Sequence, residues 1–85
     1  MKIIKDYRLK KDCVATQTLY ITSGAEIVNI VDLDFDVALI VVSTVPEVTT
    51  ELRTFKLCDS HEYIYHDNIK YLGVTKDNQH VIEIL

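Results

Sequence analysis

VDLDFDVALIVVS, running from Val31 to Ser43, sets three aspartates at alternate positions and follows them with six apolar residues, Val37 to Val42. The apolar run is far short of the roughly 20 residues that a membrane-spanning helix needs. It is rich in β-branched side chains and unbroken, so it reads as a buried strand with apolar cover on both faces. The aspartates before it pose a different question. An EF-hand loop needs oxygen ligands at its first, third and fifth positions, a glycine at the sixth and a glutamate at the twelfth. Counted from Asp32, the sixth residue is Val37 and the twelfth is Ser43, so the sharp bend and the bidentate ligand are both missing. On a strand, Asp32, Asp34 and Asp36 would share one face and repel each other. The stretch therefore reads as a solvated bend leading into a buried strand, with a weak divalent-cation site on these three aspartates as the alternative.

Working outward, alternation of apolar and polar residues dominates. KIIKDYRL places Ile3, Tyr7 and Leu9 on one side and Lys2, Arg8 and Lys10 on the other. TQTLYIT sets Leu19 and Ile21 against Thr18, Tyr20 and Thr22. Ser23-Gly24-Ala25 is a turn, in which Gly24 is free to take a positive φ. EIVNIVDL puts Ile27, Val31 and Leu33 on one face around Asn29. LRTFKL alternates weakly, and YIY (Tyr63 to Tyr65) is a short strand. IKYLGVT and HVIEIL flank Lys76-Asp77-Asn78-Gln79, a hairpin signal. One segment reads two ways. Thr44-Val-Pro-Glu47 has the form of a helix-capping box, and Val45, Val48, Leu52 and Phe55 follow at helical spacing. The pattern predicts a mainly β domain spanning residues 1–85, a compact antiparallel small sandwich or partly open barrel of six or seven short strands. A short helix near residues 45–55 is the alternative for that segment.

Composition bounds what such a domain can do. Hydrophobic residues make up 48% of the 85, which suits a globular core and not a disordered chain. Residues 1–12 carry five basic and two acidic side chains, and the rest carry four basic and eleven acidic ones, giving the net −4. A nucleic-acid binder would concentrate positive charge on a docking face. The basic residues here sit on one N-terminal strand, where lysines protect an edge from unwanted pairing. The charge pattern thus argues against a nucleic-acid partner. MKIIKDYRLKKD lacks the apolar stretch of a signal peptide, and no span-length apolar segment follows. With Cys13 and Cys58 read as free thiols, the expected location is a reducing cytoplasm, away from membranes.

The chemistry-bearing residues give no enzyme signature. Cys58 and His61 have a spacing that could begin a zinc site, but no second pair completes it. His61 and His66 are five apart, not the four of the zincin helix. Ser60 or Cys58 with the nearby His61 as base rarely achieves the geometry of nucleophilic catalysis, because near neighbours in sequence seldom align. Two glycines in the chain leave no phosphate-cradling loop. No cofactor or metal is expected. Tyr63 and Tyr65, with His61 in line on one strand face, form either an aromatic contact patch or part of the core. They are the candidate contacts for a partner or ligand, together with Lys10 and Lys11.

The order Y-x-L, Q-T-L-x-I-x-x-G-A-E-I-V, R-T-F-K-L, Y-L-G-V resembles a domain of unknown function found in small bacteriophage proteins. In that family a lead strand precedes a Q-T-I-x-L-P-x-G-A-x-I-L stretch. A central apolar strand, an E-T-R-T-F strand, a glycine-histidine loop and a Y-I-G-T strand follow. The corresponding segments here are Tyr7–Leu9, Gln17–Val28, Val37–Ser43, Glu51–Leu57, Ser60–His61 and Tyr71–Val74. This chain departs from the pattern in four places. Ser23 adjoins the turn without the family's proline, Cys-Asp-Ser replaces the glycine-rich approach to His61, the central strand has no tryptophan, and HVIEIL ends on leucine without the family's aromatic-histidine pair. The resemblance implies a phage origin, a small β fold and no known reaction, and favours strand for residues 50–57. The resulting expectation is a non-enzymatic phage accessory protein in the host cytoplasm. It would bind a host bacterial protein, in host takeover or inhibition of antiviral defence. The alternatives are a nucleotide-sequestering oligomer and a virion-associated protein. Because a thin sheet cannot cover VALIVV on both faces, a homodimer or higher oligomer is expected, with the C-terminal strand or residues 37–42 near its interface.

Overall fold

Alternation is converted into strands along most of the chain. A computed structural model describes residues 1–85. Its seven strands are β1 (Lys2–Lys10), β2 (Gln17–Thr22), β3 (Glu26–Asp32), β4 (Asp36–Thr44), β5 (Thr50–Cys58), β6 (Ile69–Val74) and β7 (His80–Ile84). They form two antiparallel sheets, a three-stranded one in the order β1-β4-β3 and a four-stranded one in the order β2-β5-β7-β6. There is no helix, and the sheets do not close into a barrel. No helix is therefore long and apolar enough to cross a membrane.

The inward row of each strand builds the core between the sheets. Leu9, Ile27, Val37, Leu39 and Val41 come from one sheet, and Ile21, Phe55, Leu57 and Val81 from the other. The apolar run of β4 is central in its sheet, as its composition demands. Its inward side chains are fully buried, while Ile40 and Val42 on the outward row are only half-buried, because no third layer lies over them. The aspartate stretch is a bend at Asp34 and Phe35, as expected.

One alternative is settled and two expectations are corrected. Residues 45–55 form no helix: residues 45–49 are irregular and β5 begins at Thr50. The carboxylate of Glu47 does not cap a helix. It accepts hydrogen bonds from the Lys5 ammonium at 2.7 Å and from the Thr22 hydroxyl, tying this crossover to β1 and β2. The face assigned to β3 is wrong beyond Ile27. A β-bulge between Ile27 and Asn29 inserts one extra residue, which reverses the parity of everything after it. Ile30 consequently packs against the core, while Val31 is exposed. Finally, Tyr63 to Tyr65 is not a strand but part of the irregular connection between β5 and β6.

Two contacts hold the ends of the sandwich. Arg53, on the inward row of β5, donates from Nε and Nη2 to the two Glu83 carboxylate oxygens at 2.6 and 2.7 Å, and from Nη1 to the Ala25 carbonyl at 2.7 Å. Glu83 is nearly inaccessible, so this bidentate pair is an internal brace between β5, β7 and the β2–β3 turn. At the other margin β6 approaches β3. A β-carbon placed on Gly73 would lie 2.8 Å from Cδ1 of Ile30, and the Gly73 φ of 154° is one that other residues rarely adopt.

Candidate functional site

Most of the chemistry-bearing side chains gather around the β5–β6 connection, residues 59–68, and the end of the β6–β7 hairpin. β5 leaves its sheet at Cys58 and the chain reverses at once. The Asp59 carbonyl accepts the Glu62 N–H at 3.2 Å, and His61 holds a left-handed φ of 67°. Glu62 reinforces the turn from its side chain. Its carboxylate accepts the Asp59 N–H at 3.1 Å and pairs with the Lys56 ammonium at 3.1 Å. The Asp59 N–H first, and Lys56 second, hold that carboxyl below the usual carboxylate range. The far end of the connection is tied by the Leu85 N–H, which donates to the Asn68 carbonyl at 2.9 Å.

Between these two ties the tyrosines face solvent. Tyr63 is 81% exposed and Tyr65 is 90% exposed, which resolves the choice between core and surface in favour of surface. His61 is also exposed, but the three do not share a strand face, since no strand forms.

The turn places Ser60 beside a histidine that is not its neighbour in sequence. Ser60 Oγ lies 2.9 Å from Nε2 of His80, the first residue of β7, and the other ring nitrogen, Nδ1, lies 2.8 Å from the Tyr71 hydroxyl on β6. The Tyr71 and His80 rings are tilted by 46° with centroids 5.7 Å apart. Register explains the meeting. Cys58 pairs with His80 across β5 and β7, and Tyr71 pairs with Ile82 across β6 and β7, one same-face position from His80. In the sequence Ser60 has only His61 beside it, and nothing local points from Ser60 to His80.

The other candidate residues are drawn apart. Lys11 forms an ion pair with Asp32, whose carboxylate also accepts the Lys76 N–H at 2.6 Å. That pair is mostly screened from solvent and staples the end of β1 to β3 and to the hairpin. Lys11, principally, and the Lys76 N–H hold the Asp32 carboxyl below its usual range. Asp36 lies 3.7 Å from the Arg8 guanidinium, and Asp34 is exposed. Asp32 is thus set apart from Asp34 and Asp36, and the three do not converge as a metal site. Lys10 is anchored through its backbone, its N–H and carbonyl both bonding the Gln17 side-chain amide. Its side chain borders an open cleft of about 610 Å³ where Asp34, Asp36, Asp59 and Asp77 collect and Phe35 stands at the lip. The surplus of carboxylates makes this cleft inhospitable to phosphate. Both cysteines are free, with Cys58 buried and its thiol pushed up by that burial.

No family model, curated protein or solved structure matches the chain.

Proposed function

We propose that this chain is a protein-binding module whose contact surface is the β5–β6 connection, with Tyr63 and Tyr65 as its anchors. The exposure of both tyrosines, 81% and 90%, carries the reading. Tyrosine brings a large apolar surface and a hydroxyl at small entropic cost, and interface hot spots are enriched in it. The segment that bears them is held at both ends by Lys56, Glu62, Asn68 and the backbone of Asp59 and Leu85. A connection fixed in this way loses less freedom on binding than a loose loop would. The resemblance to small bacteriophage proteins supports a partner from the bacterial host.

Nucleotide sequestration is less well supported, because Lys11 is engaged with Asp32 and the cleft beside Lys10 is acidic. The test is a quantitative pull-down from host lysate with the wild type and a Tyr63→Ala/Tyr65→Ala variant. Both substitutions are on the surface, so melting temperature should hold. Loss of one hot spot lowers affinity about 30-fold, a change of roughly 2 kcal/mol. A partner recovered equally by both proteins would place the contact surface elsewhere.

A further inference from the structure

The Ser60–His80–Tyr71 array has the geometry of an activated nucleophile. Three requirements define such a site: a hydroxyl within hydrogen-bond reach of a base, a third group orienting that base, and donors for the developing oxyanion. Ser60 Oγ and His80 Nε2 are 2.9 Å apart, and the Tyr71 hydroxyl meets His80 Nδ1 at 2.8 Å. With the proton on Nδ1, the ring donates to the tyrosine oxygen and leaves Nε2 free to accept from Ser60. The N–H groups of Ser60 and His61 make no hydrogen bond within the chain, although the turn around them is fixed by Asp59 and Glu62. His61, directly after the serine, is one of two non-glycine residues with positive φ. Ser60 is open to solvent, so a substrate can reach it.

We propose that Ser60 is an acyl-accepting nucleophile, with His80 as its general base and Tyr71 as the positioning residue, acting on small uncharged or cationic esters. Oγ attacks the ester carbonyl carbon while Nε2 takes the hydroxyl proton and the carbonyl π pair moves to oxygen. The Ser60 and His61 N–H groups, which have no acceptor within the chain, are the donors this proposal assigns to that oxyanion. Collapse re-forms the carbonyl and breaks the bond to the alcohol, which leaves with the proton from His80. Water then attacks the acyl-serine by the same route and releases the acid, so no redox partner is needed. Tyr71 supplies orientation without the negative charge of a carboxylate, which makes the imidazolium less stabilised and the site a slow one. Asp59 and Gln79, the chain neighbours of Ser60 and His80, border the acidic cleft together with Asp77. The carboxylates of Asp59 and Asp77 disfavour anionic esters.

This inference does not rest on the binding reading, since replacing Tyr63 and Tyr65 leaves Ser60 and His80 in place. The test is incubation of the full chain with 4-nitrophenyl acetate and with an uncharged fluorophosphonate, followed by intact-mass and peptide mapping. One adduct on Ser60 is expected, absent in Ser60→Ala. Acylation should slow by about 100-fold or more in His80→Ala and His80→Gln, the loss expected for a general base. Tyr71→Phe should slow it several-fold with the melting temperature unchanged, which a purely structural hydroxyl would not do. A chain that takes no label at Ser60, or takes it at the wild-type rate in both His80 variants, would overturn the assignment. Among 4-nitrophenyl esters, the rates should fall in the order cationic, neutral, anionic, and the reverse order would overturn the substrate class.

Discussion

Glu83 shows how much a single side chain contributes to a sandwich this small. It carries a carboxylate into the space between the sheets, where only Arg53 and its fork of donors compensate it. That hydrogen bonding, above all, raises the Arg53 pKa. Removing one member of a buried pair leaves the other uncompensated, at about 3–5 kcal/mol. A domain of this size has about 5–15 kcal/mol in total. Glu83→Ala is therefore expected to lower the urea midpoint severely or to unfold the chain. Arg53→Met/Glu83→Leu, which removes both charges, should recover most of the loss. Asp32 and Lys11 make the contrasting case, a pair at the margin whose signature is pH. The folded state lowers the carboxyl of Asp32, and likewise those of Glu47 and Glu62. Below the ordinary carboxylate value, about 4, the unfolded chain takes up protons that the folded chain does not. Stability is thus full above that value and falls as pH drops through the depressed folded values. Melting temperatures measured from neutrality down to acid should show this decline, and Asp32→Asn should make it shallower.

At the scale of the element, what the sequence reveals depends on whether the deciding contact is local. β1, β2 and the β6–β7 hairpin were legible, because alternation and a four-residue polar turn lie within one stretch of chain. The face of β3 beyond Ile27 was not. One bulged residue reverses parity, and nothing around Val28 announces it. Residues 44–47 look like a helix start, yet Glu47 answers to Lys5 and Thr22, distant residues whose proximity only the assembled fold creates. The Ser60–His80 contact was hidden for the same reason, since it depends on β5 pairing with β7 across the whole β6 hairpin. Gly73 was visible only as part of a strand, and its reason lies in another strand. A side chain there would strike Ile30 at 2.8 Å and would need a φ that L-residues avoid. Gly73→Ala is expected to destabilise the domain by more than about 1 kcal/mol. Adding Ile30→Ala, which removes both atoms that the new β-carbon meets, Cδ1 at 2.8 Å and Cγ1 at 2.9 Å, should make the double variant more stable than the sum of the single effects. Denaturant titration of the four proteins gives that coupling directly, and strict additivity would show that backbone strain alone decides the cost.

For the molecule as a whole, the open question is which surface another chain would cover. The C-terminal strand is a poor candidate, because β7 is paired on both sides by β5 and β6. Deleting residues 83–85 would remove Glu83 from the interior, so its first effect should be loss of the fold, before any change in assembly. The outer face of β1-β4-β3 is the better one. Ile4 is 72% exposed and Val31 41% exposed, and they flank the half-buried Ile40 and Val42 with no layer above them. Contiguous apolar surface of this kind is uncommon on a protein that stays alone in water. The strand edge beside it is already guarded. Lysines and Arg8 line β1, and the amide of Gln17 closes the backbone of Lys10, which discourages growth of the sheet edge to edge. Face-to-face packing of two copies about an axis parallel to the strands would lay β1 of one copy over β3 of the other. The basic residues Lys2 and Lys10 would then approach the side of the sheet that holds Glu26 and Asp34. The expected outcome is a dimer, with light scattering after size exclusion giving twice 9.8 kDa at micromolar concentration. Val31→Lys, an exposed position whose replacement leaves the core untouched, should halve that mass while the melting curve stays cooperative. A wild-type chain that elutes as a monomer under these conditions would mean that Ile40 and Val42 tolerate water as they stand, and that the sandwich needs no second copy.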